Sequence, residues 1–77
     1  MSSTLEIQAP MQGTIVEVQV KVGDLVRRGQ PLLIMESMKL EHVVEAEING
    51  VVRLLSVSPG ETVKEGQVLV RLSLIHI

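Results

Sequence analysis

Lys39 stands in the sequence context that most favours covalent chemistry. It follows Glu36-Ser37-Met38 and precedes Leu40, and a neutral lysine amine is a nucleophile toward activated acyl groups. An ordinary lysine is protonated at neutral pH, with a pKa of about 10.4. The domain supplies no evident base for this amine. Lys39 is therefore a candidate nucleophile whose proton would have to pass to a group outside the domain.

Other chemistry-bearing residues make a weaker case. The chain has no cysteine, and its two histidines, His42 and His76, are far apart, so a metal site is not indicated. No Ser/His/Asp set and no carboxylate pair converges, and the glycines are spaced as turns rather than as a phosphate-binding loop. Lys21 and Lys64 have the context of ordinary surface charges. We therefore expect no catalytic residue and no metal, and a protein that is not an enzyme in its own right.

Composition excludes several partners. The chain has 77 residues, a net charge of −2, a pI near 5.6 and no aromatic residue, which argues against nucleic acid held through phosphates or base stacking. It has no apolar run of about 18 residues and no opening that looks like a signal peptide, so no membrane association is expected. These features predict one small intracellular domain.

The elements that position Lys39 follow from an internal repeat. Sliding the chain by 37 residues brings many identical and similar residues into register. The coinciding glycine pairs are Gly13 with Gly50, Gly23 with Gly60, and Gly29 with Gly66. Because recurring glycines with the same spacing mark recurring turns, the two halves predict a domain with pseudo-twofold symmetry.

Each half is predicted to consist of a strand, a turn, a short crossing segment and another strand. In residues 15–20, alternation predicts that Val16, Val18 and Val20 share one face. Residues 25–30 and 62–67 are interpreted as loops or single turns, and residues 31–36 and 68–72 as strands. Because Val and Ile are abundant and no helical period is present, we expect an all-β fold. The predicted architecture is a flattened barrel or sandwich of two short-stranded antiparallel sheets.

The halves are joined by a predicted hairpin with Lys39 at its tip. A two-residue turn at Met38-Lys39 would pair Ser37 with Leu40 and Ile34 with Val43. Such turns favour Asn-Gly or Gly-Xaa because their central residues need positive φ, and Met-Lys fits this requirement poorly. A local rule broken at the exposed tip of a regular hairpin indicates a functional position. One repeat length from Lys39 lie Ser2 and His76, so symmetry predicts that the tip and the chain ends occupy opposite poles.

These residues resemble the biotinyl/lipoyl attachment domain family. The resemblance rests on Glu36-Ser37-Met38-Lys39, with Gly23-Asp24 before it and Asn49-Gly50 after it. It extends from about residue 9 to 72, where residues 9–13 and 66–69 are similar to the flanking signatures of the family. Biotinyl members usually carry Met-Lys-Met preceded by Glu-Ala, whereas this chain has Ser37 and Leu40 at two of those positions. Lipoyl members usually have an acidic residue directly before the lysine, where this chain has Met38.

The resemblance implies a biotin carrier with the barrel-sandwich fold of the family. Biotin would be attached to Lys39 by a biotin protein ligase, with Glu36, Ser37, Met38 and Leu40 as the flanks that are recognised. As a swinging arm, the biotinyl group would move carboxylate between the biotin carboxylase and carboxyltransferase domains of a biotin-dependent carboxylase. The whole chain, 1–77, would be a single carrier domain with a core of about 9–72. Residues 73–77 are an apolar tail that extends the last strand, belongs to a linker, or was added to the chain.

Two other functions stay open at this point. One is a lipoyl carrier of an oxo-acid dehydrogenase-type system, against which Met38 argues. The other is an unmodified β interaction module in which Lys39 is incidental. The acceptor of the carried group is not encoded in the residues of the chain.

Overall fold

Two four-stranded antiparallel sheets make up the protein. The structure is a computed structural model, and it describes residues 3–75. These residues form eight strands: β1 (Thr4–Gln8), β2 (Gly13–Val18), β3 (Leu25–Val26), β4 (Pro31–Ser37), β5 (Leu40–Glu45), β6 (Gly50–Leu55), β7 (Thr62–Val63) and β8 (Val68–Leu74). The strand orders are β1-β8-β6-β3 and β5-β4-β2-β7. The predicted all-β sandwich of two sheets is confirmed.

The 37-residue repeat relates the two sheets to each other. Adding 37 to the bounds of β2, β3 and β4 gives the bounds of β6, β7 and β8, and β1 maps onto β5 within one residue. The orders of the two sheets then coincide strand for strand. Each sheet contains strands from both halves of the chain, since β3 pairs with β6 and β2 with β7. The halves therefore interlock, and neither forms a complete sheet alone.

The turns repeat at the level of single hydrogen bonds. The backbone N–H of Lys21 donates to Asp24 Oδ2 at 3.0 Å, and the equivalent Ser58 N–H donates to Glu61 Oε1 at 2.9 Å. In the next turns, Arg27 N–H and Lys64 N–H donate to the side-chain oxygens of Gln30 and Gln67 at 3.1 and 3.2 Å. Side-chain acceptors that satisfy turn N–H groups fix the turn geometry locally. This explains why similar residues recur at these positions.

The core between the sheets is aliphatic. Its largest fully buried side chains are Ile7, Ile15, Leu32, Leu33, Met35, Leu69, Leu72, Val26, Val52, Val63 and Val70. No polar or charged residue is buried among residues 3–75. Uniform aliphatic side chains fill the space between two facing sheets without polar groups that need partners.

The prediction that Val16 shares a face with Val20 is wrong. Val16 is 43% exposed, whereas Ile15 and Val20 are buried. The register between β2 and β4 shifts between Ile15 and Glu17, and such a bulge inserts one residue and moves the side chains beyond it to the other face. The equivalent shift in β6 lies between Val52 and Leu54, so the bulge belongs to the repeat.

The crossing segments and the residues on either side of the expected core of 9–72 contain strand residues. The segments interpreted as loops begin with the two-residue strands β3 and β7. β1 lies before the expected core of 9–72, and Ile7 within it is buried. Of the apolar tail, Ser73 and Leu74 extend β8. His76, Ile77 and Ser2 lie outside the described residues, and the opposite-pole arrangement of tip and chain ends stays a prediction.

Candidate functional site

The hairpin formed by β4 and β5 carries Lys39 at its tip. Ser37 pairs with Leu40, Glu36 with Glu41 and Ile34 with Val43, so the turn consists of two residues, as the sequence predicted. Antiparallel pairing is uninterrupted from Leu33 to the turn, and it links the tip to a strand whose inner face lies in the core. The lysine therefore stands on a rigid base rather than on a long loop.

Met38 and Lys39 both have left-handed backbone conformations. Their φ angles are 54° and 67°, the only positive values outside glycine among residues 3–75. This is the geometry of a tight two-residue hairpin turn, in which Asn-Gly is the favoured pair. A residue with a Cβ in this region costs about 1–2 kcal/mol. The turn is therefore closed by two residues that local energetics disfavour, which indicates that their side chains are kept for another reason.

The side chains at the tip are exposed and unpaired. Met38 is 92% exposed, the highest value among the large apolar side chains of residues 3–75, and Leu40 is 64% exposed. Lys39 is exposed, and its amine makes no ion pair or hydrogen bond within residues 3–75. Glu36 is exposed on the face it shares with Glu41, and Ser37 is half-buried. A partner enzyme can thus reach the amine without first breaking a contact.

Gly13 lets β2 lie close beside β4 just below the tip. A Cβ atom at this position would lie 2.5 Å from the backbone oxygen of Glu36 and 2.8 Å from Met35 Cε. The equivalent Gly50 faces Ser73 in the same way, with its Cβ position 2.5 Å from the backbone oxygen. The repeat predicted that Gly13 and Gly50 mark turns, whereas both lie at the start of a strand and make room for the neighbouring strand.

An open cleft of about 570 Å³ lies beside the turn, and sequence reasoning did not find it. Its lining residues come from β2, β4, β7, the turn and the segment before β2: Met11, Gln12, Gly13, Thr14, Glu36, Ser37, Met38 and Thr62. Three of the four predicted flanking residues line it, namely Glu36, Ser37 and Met38, while Leu40 does not. The signal that could have identified it is the repeat, because Thr14 and Thr62 lie where the other half has Val51 and Leu25.

Neither a cluster of potential metal ligands nor a membrane-spanning helix occurs in the part of the chain that the structure describes. His42 is half-buried on β5 opposite Met35, and no group of three or more potential metal ligands occurs within residues 3–75. The same residues contain no helix long and apolar enough to cross a membrane. What the tip can do chemically is present one amine, on a rigid turn, to a separate active site.

Comparison with known proteins agrees with this geometry. A family model described as "Biotin-requiring enzyme" matches residues 5–72. The biotin carboxyl carrier protein of acetyl-CoA carboxylase from Solanum lycopersicum is 48% identical over 60 residues, which cover 78% of this chain and 86% of that protein. Pyruvate carboxylase from Staphylococcus aureus is 39% identical over 71 residues, covering 92% of this chain but only 6% of that protein.

Solved structures share the fold. A single-chain, multi-domain long-chain acyl-CoA carboxylase matches with a TM-score of 0.88 at 29% identity, over 94% of this chain and 7% of that one. The lipoyl domain of the 2-oxoglutarate dehydrogenase complex from Azotobacter vinelandii matches with a TM-score of 0.77 at 30% identity, over 88% and 94%. The chain therefore belongs to the biotinyl/lipoyl attachment domain family, as the residues around Lys39 predicted.

Proposed function

We propose that this chain is a biotin carboxyl carrier domain and that biotin is joined by an amide to Nζ of Lys39. The observation that carries the proposal is an exposed, unpaired amine on a left-handed turn at the tip of a rigid hairpin. The carrier protein from Solanum lycopersicum, of which this chain covers 86%, supports the carrier role. The domain is non-catalytic: its residues hold and present a group on which other proteins act.

The residues at the tip fit this group. Lys39 supplies a primary amine, which attacks the acyl carbon of an activated biotin while the activating group leaves with the bonding electrons. The proton lost from nitrogen passes to a base of the ligase, because the amine has no ion-pair or hydrogen-bond partner among residues 3–75. Bound biotin supplies the capacity to accept and release carboxylate. The domain itself holds the attached group in position.

The flanking residues are proposed to make the tip recognisable. Met38 and Leu40 put two exposed apolar side chains on either side of the amine. Ser37 and Glu36 add polar groups on β4 immediately before them. A biotin protein ligase would read this set before acylating the lysine. After acylation, the same small tip can present the carried group to the active sites of two partner enzymes.

The partners follow from the carrier role. We propose biotin carboxylase and carboxyltransferase domains, present in the same chain or in a complex, in the cytoplasm or the mitochondrial matrix. This chain spans only a small part of some relatives, such as 6% of the Staphylococcus aureus pyruvate carboxylase. Tethering brings the carried group to effective concentrations of roughly millimolar at each active site, so tight binding of the domain is unnecessary.

The test is the intact mass of the chain after incubation with a biotin protein ligase, ATP and biotin. The chain has three lysines, so Lys39→Arg is compared with Lys21→Arg and Lys64→Arg. Arginine keeps the charge but stays protonated, and it therefore removes the nucleophile with little effect on the exposed tip. We expect one biotinyl group on the wild type and on both control variants, and none on Lys39→Arg. Biotin retained by Lys39→Arg would refute the site.

A parallel incubation with a lipoate ligase addresses the lipoyl function. The Azotobacter vinelandii lipoyl domain is the observation that favours it. Met38, which stands where lipoyl domains usually have an acidic residue, argues against it. A lipoyl group added in place of biotin would move the domain to the oxo-acid dehydrogenase systems. A folded chain that accepts neither group would instead support the unmodified interaction module.

A further inference from the structure

Because of the internal repeat, strand residues near the tip have counterparts in the other sheet with which they can be compared. One row of paired residues crosses the tip sheet from β7 to β5; we call it the tip row, and it consists of Thr62, Thr14, Glu36 and Glu41. The equivalent row of the other sheet, the end row, consists of Leu25, Val51, Ser73 and Thr4. Residues directly opposite each other in antiparallel strands share a face, so each row is a continuous strip.

The two rows differ in chemistry although they share backbone geometry. Where the end row has the aliphatic residues Leu25 and Val51, the tip row has the hydroxyl residues Thr62 and Thr14. Where the end row has Ser73, the tip row has the carboxylate of Glu36. Core packing does not require this change, because Thr62, Thr14 and Glu36 are all exposed.

The polar side chains of the tip row are free to bind a ligand. Within residues 3–75, neither threonine hydroxyl makes a hydrogen bond to another group, and the carboxylate of Glu36 makes no ion pair. All three line the cleft beside the turn, together with the thioethers of Met11 and Met38. Its volume of about 570 Å³ falls in the range of roughly 300–1,000 Å³ typical of small-ligand sites.

We propose that this cleft is the resting site of the biotin head group carried by Lys39. The ureido ring has one carbonyl acceptor and two N–H donors. The hydroxyls of Thr14 and Thr62 can donate to the carbonyl, and the carboxylate of Glu36 can accept from an N–H. Met11 and Met38 offer soft apolar contact to the acyl chain and the sulfur-containing ring. This inference rests on the proposed attachment of biotin to Lys39.

The arm is long enough to reach the row. With about 3.3 Å per residue along a strand and about 4.8 Å between strands, Thr14 lies roughly 10 Å and Thr62 roughly 13 Å from the turn. A lysine side chain followed by a five-carbon acyl chain spans that distance. Resting in the cleft holds the ring beside the hairpin between visits to the partner enzymes, and leaving it requires only the loss of a few exposed contacts.

The test compares amide chemical shifts of the unmodified and biotinylated domain, after mass has established one biotinyl group. We expect shifts at Thr14, Glu36 and Thr62 and none at Leu25 and Val51 of the end row. The double variant Thr14→Val and Thr62→Leu copies the residues of the end row, so it suits the fold. It should accept biotin equally well but lose the shifts at those three positions.

Two controls separate the outcomes. Val51→Thr, which places a hydroxyl in the end row, should leave the shifts of the tip row unchanged. Shifts confined to residues 37–41 in the biotinylated wild type, or unaltered in the double variant, would overturn the resting site while leaving the carrier function intact. A domain that takes up no biotin would refute the proposed function, and the resting site with it.

Discussion

Replacing Met38 by asparagine is expected to stabilise the protein. Met38 has a φ of 54° and is 92% exposed, so its side chain contributes strain to the turn and almost no packing. Asparagine is the residue most often found at the first central position of this turn type, because its short side chain tolerates the left-handed region. The exchange therefore removes backbone strain without opening a cavity.

The magnitude follows from the cost of the left-handed conformation. That cost is about 1–2 kcal/mol for an ordinary residue. Since asparagine relieves only part of it, we expect the free energy of unfolding to rise by about 0.5–1 kcal/mol. For a domain of this size, such a change raises Tm by roughly 2–8 °C. Met38→Leu is the matched control: it keeps both the Cβ strain and the apolar character and should change stability by less than about 0.5 kcal/mol.

Far-UV circular dichroism during urea unfolding provides the assay, since the chain has no tryptophan or tyrosine to serve as a fluorescent probe. The midpoint should rise for Met38→Asn with an unchanged slope. Equal midpoints for Met38→Asn and Met38→Leu would refute the argument that the tip is held under strain. If Met38 is kept for recognition, the stabilised variant should also be a poorer substrate of the biotin ligase than Met38→Leu, a trade-off between stability and function.

Three further substitutions test the packing of the two sheets. Gly13→Ala should destabilise the domain by about 1–3 kcal/mol in thermal unfolding, because its Cβ would lie 2.5 Å from a backbone oxygen of β4; an unchanged Tm would show that β2 and β4 can separate freely. Leu32→Ala and Leu69→Ala, at equivalent fully buried positions, should each cost about 2–5 kcal/mol by urea unfolding. Clearly unequal losses would show that the two halves differ in rigidity.

Much of the fold was readable from the repeat. The pairing of Gly13 with Gly50 and of Gly23 with Gly60 predicted the same order of strands and turns in both halves. Gly23 and Gly60 lie in turns, whereas Gly13 and Gly50 begin β2 and β6. The two-residue turn at Met38-Lys39 followed from apolar runs of equal length on each side. The bulge that exposes Val16 could not be read in the same way. A bulge changes which face a residue occupies without changing the composition of the strand.

The sequence by itself determined the class of fold, the family and the lysine at the tip, because turn glycines, strand-forming residues and the string ending in Lys39 are all local features. Only the tertiary structure decided what lies around that lysine. Thr62, Thr14 and Glu36 are far apart along the chain, and strand pairing brings them into one row. Register is a property of paired strands, set by how the two halves interlock, so a cleft built across three strands appears only once the sheet has formed.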